Sequence, residues 1–445
     1  MPHSSSPSRP PSSSRLFGST RPPAASRLLT VSVAALAVLG LAACAAPEAN
    51  PEPDAAARPH GYVEGATEET EPQLHFATVD ASGRLALLDL LSESSSDITT
   101  LSGTTGIATD GRFVFASSPA GLTIVDTGVW TVDHEDHSHY YRAEPSVLGT
   151  LEGGGPATVV GGASRTGVWF GKTGTGVVLD SGALGTGTIE ELARIEGEPH
   201  DGAIVPLGDR LLVTDAAGSV RVHDADGDPL DTVADCSGFS GTIATRVGRI
   251  LVCEQGVLLA TETASTGTAS TETAGTETAN TGIAFETIAY PEGVAAEQRA
   301  TEFRGRPGRP TVAAVAGTTG AWLLDTRERT WTLLPTEAPL LLVAAADDRD
   351  GNVVALAADG RVLVLDPVSG ATVAATGPLL ADTVAAASAD PALLAGLELT
   401  VDSTRAYLNA PVEGLVYEID YADGARVART FAVAGSPLLL AETGR

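Results

Sequence analysis

The chain has 445 residues, with 27 Lys and Arg, 56 Asp and Glu and eight His, a formal net charge of −29. Such a field repels nucleic acid and anionic lipid and concentrates cations near the surface, so a nucleic-acid-binding role is excluded as a first reading. Hydrophobic residues make up 43% but aromatics only 4%, so any core must be assembled from Val, Leu, Ile and Ala.

The first 43 residues hold Arg9, Arg15, Arg21 and Arg27 and no acid, and an apolar run from Leu28 reaches Cys44. A basic region, about 15 apolar residues and then small residues have the layout of a secretory signal, too short and wrongly flanked for a spanning helix. The segment Leu41-Ala42-Ala43-Cys44 has the form of a lipobox, predicting a signal peptide over 1–43 and lipidation of Cys44. Removal of the four leader arginines leaves 23 basic against 56 acidic residues, a charge of −33. An extracytoplasmic, lipid-anchored location follows, with membrane contact through the anchor alone. Residues 44–72 are rich in Pro, Ala and Glu and are predicted to form a disordered tether.

From residue 73 the chain repeats. A β-branched run, a Gly- or Asp-containing turn and a second run ending near Asp recur at 75–90, 113–127, 168–180, 210–224, 249–260, 312–326, 353–367 and 406–420. Eight such hairpins at intervals of about 37 to 62 residues, the widest containing the insertion, predict an all-β chain, a β-propeller of four-stranded blades. Eight hairpins indicate eight blades, or seven if one hairpin is an edge elaboration. The first hairpin lacks a preceding strand, while TFAVAGSPLLLAETG (430–444) ends the chain without a hairpin after it. Docking that terminal strand into the first blade would close a single ring over 73–445 without exposed edges. The low-complexity stretch 261–282 lacks side chains that pack and reads as an exposed insertion.

Cys236 and Cys253 remain once Cys44 is set aside, an even number in an oxidising compartment. A disulfide between them would contribute about 3 kcal/mol by restricting the unfolded chain. A pair of thiolate metal ligands is the alternative. No GxSxG, HExxH or P-loop is present, and no histidine follows His223.

The strongest chemical signal is VDHEDHSHYYRAEP, residues 132–145. It carries His134, His137 and His139 among Asp133, Glu135 and Asp136. An extended His-Ser-His projects both imidazoles to one side, and neutral imidazole is a good ligand for Zn²⁺. The expected metal set is His134, His137 and His139, with His200 and Asp201 from a later loop completing the shell. Asp133, Asp136 and His60 are weaker candidates. His75 and His223 lie in strand patterns and read as structural, and DADGD (224–228) reads as an Asp-Gly turn rather than a calcium loop.

The segments HGYVEGATEETEPQ (60–73), DHEDHSHYYRAEP (133–145) and EIDYADGARVARTF (418–431) together resemble the AztD-type zinc metallochaperones. Those are extracytoplasmic β-propellers that hand zinc to the solute-binding protein of a zinc ABC importer. The resemblance implies a non-enzymatic protein that binds Zn²⁺ with the histidine loop and passes it to such a partner. It also places Cys236 and Cys253 at the family's paired positions. GPATVV (155–160), CSGFSG (236–241) and SPLLLAETG (436–444) lack histidines that the family carries there. The second zinc site that the family implies is thus either lost or rebuilt with carboxylates. Two other classes fit the scaffold: a surface module binding protein or glycan, and a propeller hydrolase with a metal held by axial carboxylates.

Overall fold

The computed structural model describes residues 61–134, 137–263 and 281–445. The signal segment, Cys44, His60, Asp136 and most of the 261–282 insertion lie outside the described residues. The described chain is a β-propeller of antiparallel sheets, seven with four strands and one with three, following one another in sequence. An accessory three-stranded sheet joins Thr67–Glu69, Ser138–Arg142 and Val129–Asp133. Helix is confined to short connections such as Ser181–Gly185 and Ala381–Ala386. Among the described residues no helix is long and apolar enough to cross a membrane.

Each of the eight expected hairpins supplies two strands to one of these sheets. In the sixth, the hairpin Thr311–Val315 and Gly320–Asp325 has only an isolated Arg304–Ala313 bridge where a first strand would stand. Hairpin strands such as His75–Val79, Val353–Ala357 and Ala406–Ala410 are buried at every residue because sheets stack on both of their faces. Alternation is clearest on fourth strands, as in Pro229–Asp235. The apolar layers lie between successive sheets: Leu212 and Val222 pack with Leu251 and Leu258, and Val354 and Leu356 with Leu399 and Leu408.

The expected terminal strand is divided between two sheets. Arg426–Ala432 is the outer strand of the last sheet, and Leu439–Thr443 pairs with His75–Val79 as the first strand of the first sheet. A turn through 433–438 separates them, so the first and last strands of the propeller share one sheet and close the ring. Arg429 reinforces the seam, donating to Leu90 O at 2.7 Å while paired with Glu418. The insertion leaves the fifth sheet between paired strands: Thr261 and Glu262 still pair with Ala284 and Ile283.

Cys236 and Cys253 form a disulfide with Cα atoms 4.9 Å apart, which settles the cysteine alternatives against metal ligation. Asp224 accepts from the backbone N–H of Asp226 and Asp228, so DADGD is a turn.

Strand direction defines two faces. Connections from first to second strands and from third to fourth emerge on one face; second-to-third turns and sheet-to-sheet links emerge on the other. The histidine hairpin lies between Gly121–Asp126 and Ser146–Glu152, third and fourth strands of the second sheet, and so on the first face. The disulfide joins a sheet-to-sheet link to the end of a second strand, on the opposite face.

Leu440 is buried against Phe76, Leu88 and Tyr407 at the closing seam. Its replacement, Leu440→Ala, should cost about 2–4 kcal/mol in equilibrium urea unfolding, with loss of transition sharpness as the ring opens.

Candidate metal centre

The hairpin is entered through Gly128, whose φ of +75° and contact with Ala143 O leave no room for a side chain. From there register determines which side chains share a face. Val132 pairs with His139, Asp133 with Ser138, and His134 N–H donates to His137 O at 2.8 Å across the hairpin tip. Directly opposed residues project to the same side and neighbours alternate, so His134, His137 and His139 fall on one face. Their ring centroids are 4.9–5.4 Å apart. One ligand nitrogen from each lies within 4.8 Å of the others. Nitrogens about 2.05 Å from a tetrahedral Zn²⁺ stand about 3.4 Å from each other, so closing this set takes only small side-chain adjustments.

Asp133 projects to the other side of the pleat, where it accepts from the Ser138 hydroxyl at 2.9 Å. It braces the hairpin instead of joining the imidazoles. His200 and Asp201 sit in a sheet-to-sheet link, on the face opposite the hairpin. The His200 ring nitrogens contact Glu198 O at 2.8 Å and Thr214 Oγ1 at 3.0 Å. The expected fourth ligand is therefore not brought to the triad. His200 instead packs on Trp169 in a cleft that His223 also lines.

The structure adds a residue missed in the sequence. Thr67–Glu69, expected as part of the free tether, pairs with Tyr140–Arg142 in the register Glu68 to Tyr141. That register puts Glu68 on the imidazole face, with Oε1 2.6 Å from His139 Nδ1. A carboxylate accepting the Nδ1–H leaves the Nε2 lone pair turned toward the cluster. His137 Nε2 lies 3.1 Å from His139 Nε2, within hydrogen-bond distance. The strand docks because the hairpin offers it an open edge, and Gly61 helps: its carbonyl accepts from Trp130 Nε1, and its Cα abuts Val132. Trp130 in turn stacks on Tyr141 and lies under the Arg112 guanidinium, 3.8 Å from Cζ to ring centre. Thr131 donates to Gly444 O at 2.7 Å, tying the hairpin to the closing strand.

His75 is buried, with Nδ1 2.9 Å from Gln73 O and Nε2 3.6 Å from Asp89. Among the first strands a cavity of about 420 Å³ is lined by Glu302, Glu398 and Glu442. Arg304 sits between the first two, 3.0 Å from Glu302 and 3.3 Å from Glu398, and Arg445 lies 2.6 Å from Glu442. Burial pushes the Glu398 and Glu442 carboxyls above the usual range against the pull of these arginines. These axial carboxylates already face built-in cations, which argues against a catalytic metal there.

The fold and the rim-mounted imidazole cluster define a propeller whose histidine chemistry stands on one face. No family model matches the chain. Two solved structures of AztD from Citrobacter koseri share its fold. One, apo AztD, aligns with a TM-score of 0.67 at 16% identity, over 84% of this chain and 98% of that one. The other gives 0.64 at 19% identity, over 83% and 97%. The dihydro-heme d1 dehydrogenase NirN, in complex with DHE, aligns at 0.50 and 13% identity over 84% of this chain and 76% of its own. At these identities the likeness is one of fold.

Burial holds the His75 pKa below its ordinary value, outweighing the Gln73 carbonyl and Asp89. The unfolded chain therefore binds this proton first as pH falls through about 6.5, and folded-state stability drops by up to about 1.4 kcal/mol per pH unit for the one group. His75→Gln should flatten that part of the loss between pH 7 and pH 5 in urea titrations.

Proposed function

We propose that the chain is a zinc carrier, not an enzyme. In this reading it takes Zn²⁺ from outside the cytoplasmic membrane with His134, His137 and His139 and passes it to the solute-binding protein of a zinc ABC importer. The observation that carries the reading is three imidazoles on one hairpin face, with ligand atoms within 4.8 Å of one another. The resemblance of the loop and the preceding segment to AztD-type metallochaperones supports it, as does the fold shared with AztD.

Zinc here is cargo. Three imidazoles hold it without filling a tetrahedral shell, and a fourth position is open to water or to an incoming ligand. His137 is exposed while His134 and His139 are partly covered, so a partner's ligands meet the metal first at the His137 edge. Replacement of one imidazole at a time then moves the ion without release to water. Glu68 works from behind as a positioning residue, orienting His139. Lipidation at Cys44 would keep the carrier at the membrane on the segment before residue 61, a shorter leash than expected because Thr67–Glu69 is docked.

Titration of Zn²⁺ against a competing chelator should show one tight site in the mature protein. Replacing His134, His137 and His139 together with Ala should abolish it; unchanged tight binding would refute the assignment. Glu68→Gln keeps the shape but removes the charge behind His139, and should weaken zinc affinity by about 10- to 100-fold in the same titration.

A further inference from the structure

We propose that the crevice formed by Arg165 and Arg249 is a binding site for a small oxyanion of the phosphate class. The crevice has a volume of about 210 Å³ and lies where the third, fourth and fifth sheets meet. Arg165 begins the second strand of the third sheet and Arg249 that of the fifth, while Pro206, Leu207 and Gly208 come from the fourth. By strand direction all of these lie on the same face as the histidine hairpin.

Three observations point to an anion. First, Arg165 Nε and Nη1 are buried and have no hydrogen-bond partner. Buried guanidinium N–H groups are costly to leave unmade, so an acceptor is the expected occupant. Second, neither Arg165 nor Arg249 has a carboxylate within 4.0 Å among the described residues, although acids outnumber bases two to one in this chain. Among the described residues Arg249 donates to Gly161 O, and its burial lowers its pKa. Third, part of the wall is bare backbone: Gly162 and Gly208 line the crevice, and a side chain at either would run into Pro206 or Glu262.

The acids nearby do not fill the role. Asp110 Oδ1 is spent on the N–H groups of Arg112 and Phe113, and Glu262 lines the crevice without an ion pair. Neither forms an ion pair with Arg165 or Arg249 among the described residues, which leaves both guanidinium groups to a compact oxyanion. Arg246 lines the adjoining depression with Arg249 and offers a less specific approach. This site is independent of zinc.

The test uses the mature protein, free of phosphate and sulfate, titrated with inorganic phosphate at constant ionic strength. Binding is read by calorimetry and by ³¹P line broadening. One site is expected in the wild type, weakened at least tenfold in Arg165→Gln and in Arg249→Gln and nearly unchanged in Arg246→Gln. Arg165→Lys, which keeps charge but fewer donors, should fall between. Far-UV circular dichroism checks that each variant is folded, and the zinc titration of each should match the wild type. No phosphate response in the wild type would overturn the proposal. So would equal responses in the wild type and in folded Arg165→Gln and Arg249→Gln, which would mean diffuse surface binding.

Discussion

Everything in this molecule hangs on one strand pairing, that of Leu439–Thr443 with His75–Val79. A propeller without closure has two exposed sheet edges and an unfilled interblade layer. Here the last seven residues cover both. The same pairing sets the position of the histidine loop. Gly444, one residue past the closing strand, donates to Gly111 O and accepts from Thr131 in the histidine hairpin. The hairpin, the docked strand Thr67–Glu69 and the chain's end are thus braced against each other at the seam. A loop that would be a solvated turn elsewhere has a braced base here, while His137 stays exposed.

A second constraint is parity. Alternation along a strand and alternation of strand direction across a sheet decide, without further energy terms, what can meet what. The first puts three imidazoles and Glu68 on one side of the hairpin and Asp133 on the other. The second puts His200 on the far face, out of reach of the triad, and gathers Arg165 and Arg249 on the near one. One face thus carries both the imidazole cluster and the two guanidinium groups that lack carboxylate partners among the described residues, and the other carries the disulfide and the Trp169–His200 cleft.

What the sequence discloses follows the range of the interaction. Hairpins are local: tight turns with Asp and Gly between β-branched runs are enough to place all eight, and His-Ser-His spacing is enough to suspect the loop. Closure was legible because an unpaired strand at each end has one economical solution, although the split between Arg426–Ala432 and Leu439–Thr443 was not. Glu68 could not be read from composition, since its segment looks like any acidic tether. Only an edge 71 residues away makes it a strand and gives its carboxylate a partner. His200 looked plausible for the converse reason. Nearness in the blade series suggests convergence, but face is decided by counting strands.

The central claim is that the hairpin's imidazoles are the metal ligands. X-ray absorption at the zinc edge on protein loaded with one equivalent tests it most directly. The account predicts a shell of nitrogen or oxygen at about 2.0–2.1 Å with outer-shell scattering from three imidazoles, lost when His134, His137 and His139 are replaced. A shell of oxygen alone, or an imidazole signal that survives those replacements, would contradict it.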